Sequence, residues 1–90
     1  MTSLERLFSL EIEFHRRLRC NAPGTVDASA LHTSYALQNG YEPLLKSIGR
    51  VTVQDIKQLA DRFTLTGDAR DVLAARDSLT GLLGLRTFEA

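Results

Sequence analysis

The segment TSLERLFSLEIEFHRRLR, residues 2–19, decides the fold class of this 90-residue chain. Its apolar residues recur at intervals of three and four, which is the period of an α-helix packed on a core. Thr2 followed by Glu5 matches a capping box, so we predict a first helix from Leu4 to Arg19. Its apolar residues spread over more than half of the helix surface. A helix of this kind is usually contacted from two directions.

The rest of the chain repeats this helical period between short turns that contain glycine, proline or asparagine. Period-two alternation, which marks strands, is almost absent. Asp27 and Thr52 stand where helix caps are expected, and Asn39–Gly40 is typical of a helix end. The predicted helices cover residues 4–19, 28–38, 43–49, 53–63 and 68–83. The sequence therefore predicts an all-α fold, a small single-domain bundle of four to five short helices over residues 1–90.

The composition excludes several classes of protein. Eleven basic and eleven acidic residues give a net charge of zero, which disfavours nucleic acid as a partner and gives no attraction to an anionic membrane. No apolar run approaches the roughly 18–20 residues that cross a bilayer. The lone Cys20 allows neither a disulfide framework nor a cysteine-based metal site, and it suits a reducing compartment. We therefore expect a soluble cytoplasmic protein without a membrane partner.

Glu11 and His15 fall on the apolar side of the first helix, one turn apart. They are either a mutually satisfied pair, or residues at a wet seam between two contact surfaces, or an acid/base or metal pair. His32, the other histidine, has no acidic neighbour in the sequence, and the carboxylate–histidine spacing of di-iron bundles does not occur. We interpret Glu11 and His15 as a structural pair that fixes how helices meet. We expect no metal and no cofactor.

Catalytic signatures do not occur in the sequence. No serine lies in a nucleophile elbow, and the glycines do not form a loop that cradles phosphates. The sequence therefore predicts a protein that is not an enzyme.

The C-terminal segment LTGLLGLRTFEA, residues 79–90, is apolar, but its glycines weaken a helix. Such a segment either folds back over the core or docks on another chain. The C-terminal segment and the wide apolar face of the first helix are two apolar surfaces, more than one small domain needs for its core. This predicts a protein-interaction module (an adaptor, inhibitor or regulator) that binds another protein or itself, with a homodimer as the expected form. The predicted interaction residues are Phe8, Ile12, His15, Leu82, Leu83, Leu85 and Phe88.

Residues 53–80 suggest DNA binding as an alternative function. They contain two predicted helices about four residues apart, the arrangement of a helix-turn-helix. A small DNA-binding transcriptional regulator of this type would use Arg70 and Arg76 on the second helix. Asp68 and Asp71 at the start of that helix would face phosphates or base edges unfavourably. DNA binding is therefore the second hypothesis.

Overall fold

The computed structural model describes residues 2–21 and 27–85, and within these ranges the chain forms five helices and no strand. The helices are α1 (Ser3–Asn21), α2 (Ala28–Gln38), α3 (Tyr41–Ser47), α4 (Val53–Thr64) and α5 (Ala69–Leu82). The predicted all-α bundle is confirmed. Among the described residues, no helix is both long enough and apolar enough to cross a membrane.

Local capping interactions fix where the helices begin. The Glu5 N–H donates to the Thr2 hydroxyl at 3.1 Å, and the Thr2 N–H donates to the Glu5 carboxylate at 2.8 Å. Thr52 and Asp55 form the same reciprocal pair at the start of α4. The Asp27 carboxylate accepts from two N–H groups in the first turn of α2. Each cap satisfies amides that have no partner within the helix, and the predicted caps at Thr2, Asp27 and Thr52 are confirmed. Helix α1 begins at Ser3, one residue before its predicted start.

The third helix differs from its prediction by two residues at each end. It begins at Tyr41 instead of 43 and ends at Ser47 instead of 49. Gly40, at φ 68° and ψ 44°, takes the left-handed conformation and directly precedes the helix. Pro43 is then in the first turn, where a missing N–H costs no helical hydrogen bond. The turn at Gly40 is therefore tighter than the sequence pattern indicated.

Helix α1 lies at the centre of the bundle, because it packs against α2, α3 and α5 while α4 packs on α5. This arrangement explains the wide apolar face of α1. The buried core consists of Leu7, Phe8, Phe14, Tyr35, Tyr41, Ile56, Leu59, Ala60, Val72, Ala75 and Leu79.

Helix α2 is the least buried of the longer helices. All its residues are described, and Tyr35 alone among them is buried. Leu37 is 80% exposed and Leu31 is 46% exposed. The helix contains no aspartate, glutamate, lysine or arginine. It therefore presents a largely uncharged surface that the other described helices leave exposed.

Candidate functional site

The carboxylate of Glu11 lies at the centre of the bundle and is fully shielded from solvent. The Tyr41 hydroxyl donates to Glu11 Oε2 at 2.5 Å, and the Ser78 hydroxyl donates to Oε1 at 2.5 Å. His32 Nε2 lies 2.7 Å from Oε2. A buried carboxylate is costly unless its oxygens are hydrogen-bonded. Among the described residues these three partners, on α2, α3 and α5, satisfy Glu11 and connect four helices through one side chain.

His15 reaches this cluster through Ser78 and does not hydrogen-bond Glu11 directly. Its Nε2 lies 3.0 Å from the Ser78 Oγ. A hydroxyl has one proton, and that of Ser78 points to the much closer Glu11 oxygen, with the Ala75 carbonyl at 3.2 Å as the longer alternative. The Ser78 oxygen is then an acceptor, so His15 carries a proton on Nε2. Glu11 and His15 are thus not bonded to each other as a pair, and each is hydrogen-bonded to Ser78 on α5.

Burial determines the protonation of two groups in the cluster. Desolvation lowers the pKa of His15, although the nearby Glu11 opposes this shift in part. Desolvation, followed by the hydrogen bond to Glu11, raises the pKa of Tyr41 far above its ordinary value. Tyr41 therefore remains a hydrogen-bond donor at any physiological pH, and the neutral form of His15 is favoured.

Aromatic rings close the cluster on one side. The Phe14 ring packs edge-on against the imidazoles of His15 and His32, with centroid distances of 5.3 and 4.9 Å. It also contacts the Tyr35 ring at 5.3 Å. The Tyr35 hydroxyl donates to the Leu10 carbonyl at 3.0 Å. These rings keep water from the carboxylate, which strengthens each hydrogen bond to it.

An open groove of about 570 Å³ lies between α2, α3 and the end of α5, and His32 and Tyr41 line part of it. Leu37 and Leu82, which are 80% and 39% exposed, stand at this groove. Its other apolar lining residues are Ala36, Pro43 and Leu45. The His32 side chain is 26% exposed and connects the groove to Glu11. The accessible part of the site is therefore an apolar groove, and the carboxylate lies behind it.

The chemistry available to this arrangement is narrow. Glu11, the one carboxylate of the cluster in the described part of the chain, is fully buried, and its partners occupy both of its oxygens. Within residues 2–21 and 27–85, no group of three or more histidine, cysteine, aspartate or glutamate side chains has the arrangement of a metal site. The cluster links four helices through hydrogen bonds, and the groove is the part of the site that is open to solvent.

The structure places the predicted interaction residues of α1 inside the bundle. Phe8 is completely buried and stacks on Phe63 with a centroid distance of 5.2 Å. Ile12 is half-buried and packs against the core. His15 is half-buried and hydrogen-bonded to Ser78. Phe8 has no surface to offer a partner, so the apolar face of α1 is explained by the core.

The predicted C-terminal interaction residues are divided between the core and the surface. Leu83 and Leu85 are half-buried and pack against the core. Leu82 is exposed and lies at the groove. Phe88 lies outside the described residues. Of the predicted interaction residues in the described chain, Leu82 is the one that lines the groove.

Sequence reasoning missed Leu37, the most exposed leucine of the groove, although a signal for it was present. Between Ala28 and Gln38 there is no aspartate, glutamate, lysine or arginine. A surface helix normally carries such residues on its outer face. The absence of these charges on α2 was the signal that the sequence offered for an apolar surface.

Each of the two arginines predicted for DNA contact lies next to a carboxylate. Arg70 Nη2 lies 2.7 Å from Asp68, and Arg76 Nη2 lies 3.1 Å from Asp77. Asp71, which would face DNA if α5 were a recognition helix, is buried, and Arg19 donates to its carboxylate at 2.9 and 2.8 Å. Asp71 therefore points into the bundle, where α1 supplies its cationic partner. The start of α5 thus lacks the excess positive charge that phosphate contacts require.

Comparison of the chain with protein-family models, with curated proteins and with solved structures finds no match. The groove and the Glu11 cluster are therefore the features from which a function is inferred. The first is accessible and apolar, and the second is buried and polar.

Proposed function

We propose that this protein is a non-enzymatic helical interaction module, an adaptor or regulator, that binds a protein partner in the groove between α2, α3 and the end of α5. The observation that carries this proposal is Leu37, which is 80% exposed beside an apolar groove on a helix without acidic or basic charge. Single exposed leucines are ordinary. Leu37 lies in a concave apolar setting together with Leu82, and such surfaces mark sites of protein contact.

The composition of the groove suits an apolar side chain from a protein partner. Protein interfaces combine an apolar centre with a polar rim. Ala36, Pro43 and Leu45 supply apolar walls, and Thr33 and Glu42 supply polar groups among the lining residues. An amphipathic helix that lays its apolar face in a groove is one of the recurring modes of recognition between proteins.

The buried cluster supports the non-enzymatic part of the proposal. A catalytic acid or base must come within hydrogen-bond reach of its substrate. Glu11 is shielded from solvent and is already bonded to Tyr41, His32 and Ser78. Its role is to hold α2 and α3 against α1 and so to give the groove a fixed shape. We also propose a cytoplasmic location, because Cys20 is a free, exposed thiol of the kind that reducing compartments preserve.

Affinity capture with the full chain tests the proposal. The wild type is compared with Leu37→Asp and with the control Leu65→Asp, whose leucine is 83% exposed and does not line the groove. We expect a set of proteins that the wild type and the control retain and that Leu37→Asp loses. Circular dichroism is used to check that both variants keep their helix content. If no captured protein depends on Leu37, the groove is not an interaction site.

A further inference from the structure

We propose that the occupant of the groove is a second copy of this chain, paired through α2 and α3 about a two-fold axis. This inference rests on the proposed function, because it names the partner of the same groove. It is carried by the distribution of charge on α2 and α3.

Helix α2 can approach its own copy without electrostatic repulsion. A symmetric contact brings identical surfaces together, so a charged residue on the axis, or a surface with charges of one sign, meets its like. From Ala28 to Gln38 there is no aspartate, glutamate, lysine or arginine. The side chains of α2 are mostly small, which allows close packing of helices, and Leu37 projects from them. An uncharged helix of this kind fits a self-complementary contact.

Helix α3 adds a charge pattern that is complementary to itself. Glu42 and Lys46 lie one turn apart, and their side chains are 82% and 76% exposed. Within one protomer they form only a loose pair, with Nζ 3.8 Å from the carboxylate. In a two-fold contact, if one residue meets a second, the second also meets the first. An axis passing between the two residues sets Glu42 opposite Lys46 of the partner subunit, twice per dimer.

The size of the surface predicts a modest affinity. Helices α2 and α3 have 11 and 7 residues, whereas a standard interface uses roughly 20–30 residues on each side. The apolar contribution comes mainly from Leu37 and Leu82 of each protomer entering the facing groove. We therefore expect a dimer dissociation constant of the order of micromolar.

Sedimentation velocity of the full chain over about a hundredfold range of concentration tests this inference. The wild type should convert from monomer to dimer within that range. Leu37→Asp should raise the dissociation constant by about a hundredfold or more, because each dimer loses two buried leucines. Leu65→Asp, the control of matched exposure, should leave it unchanged. A wild type that stays monomeric throughout, or a dimer that survives Leu37→Asp, overturns the proposal.

Charge exchange tests the two-fold geometry with variants that leave the core untouched. In a homodimer of either single variant, Glu42→Lys or Lys46→Glu, like charges face each other at both contacts. Each substitution should therefore weaken its homodimer about tenfold. An equal mixture of the two variants restores both ion pairs and should form a heterodimer of wild-type affinity, detected with two fluorescent labels. A mixture that associates no better than either variant overturns the pairing.

The two proposals fail in different ways. A chain that is monomeric in solution but still captures another protein through Leu37 refutes self-pairing and keeps the proposed function. A monomer whose captured proteins are all indifferent to Leu37 refutes both.

Discussion

Replacing Tyr41 with phenylalanine removes the hydroxyl that donates to the buried Glu11 carboxylate. The ring of Tyr41 is 3% exposed and stays in place in the variant, so packing changes little. Glu11 Oε2 then loses a donor at 2.5 Å in a site that water does not reach. A hydrogen bond to a charged group contributes about 1.5–3 kcal/mol, and His32 remains as the other partner of Oε2 in the variant. We expect Tyr41→Phe to lower the free energy of unfolding by about 2–3 kcal/mol, which is about 10–20 °C in Tm for a domain of this size.

Tyr35→Phe is the matched control for this substitution. Tyr35 is also buried, but its hydroxyl donates to the Leu10 backbone carbonyl, a neutral acceptor, at 3.0 Å. Removal of the Tyr35 hydroxyl should lower the free energy of unfolding by only about 1 kcal/mol. Urea unfolding followed by circular dichroism measures both values. If Tyr41→Phe costs no more than Tyr35→Phe, the Glu11 cluster does not hold the bundle together as described.

A double-mutant cycle isolates the contact itself. In a Glu11→Gln background the acceptor is neutral, so Tyr41→Phe should cost less than it does in the wild type. Equal costs in the two backgrounds would mean that the destabilisation comes from altered packing of the ring.

Further predictions concern the same cluster, pH and DNA. Ser78→Ala removes a donor from Glu11 and the acceptor of His15, and should lower the free energy of unfolding by about 2 kcal/mol; urea unfolding with no measurable loss would contradict the assigned hydrogen bonds. Burial lowers the pKa of His15 from 6.5, so His15 is protonated at a higher pH in the unfolded chain than in the folded one. The stability that neutral His15 contributes is therefore present above about pH 6.5 and decreases below it. The His15→Gln variant should show a shallower decrease between about pH 7 and pH 5, and an unchanged slope would refute the assignment. Because Arg70 and Arg76 are paired with carboxylates, we expect no binding to duplex DNA in low salt by fluorescence anisotropy; binding that weakens steeply with salt and is lost in Arg70→Ala would restore the alternative function.

The helix starts were predictable from sequence because their caps are local. Thr2 with Glu5, and Thr52 with Asp55, are three residues apart, so the motif and the structure are the same short stretch of chain. The start of α3 instead depends on the backbone angles of Gly40, which the neighbouring residues do not determine. The two-residue error at the start of α3 has this cause.

The Glu11 cluster was not predictable because its members are distant in sequence. His32, Tyr41 and Ser78 are 21, 30 and 67 positions from Glu11, and only the packing of four helices brings them together. His32 has no acidic neighbour along the chain, yet its nearest polar partner in space is a carboxylate. An apolar helix face likewise does not reveal which part the bundle covers, and this is why Phe8 was included among the interaction residues.

The most direct test follows the amide NMR spectrum of the full chain as its concentration is raised. It asks whether the groove between α2 and α3 is where this chain meets another protein chain. We expect chemical-shift changes concentrated on α2 and α3, largest near Leu37 and from Glu42 to Lys46. The amide signals of Leu65 and Leu73, exposed leucines away from the groove, should not shift. Shifts concentrated at Leu65 and Leu73, with α2 and α3 unchanged, would show that the groove is not the contact surface.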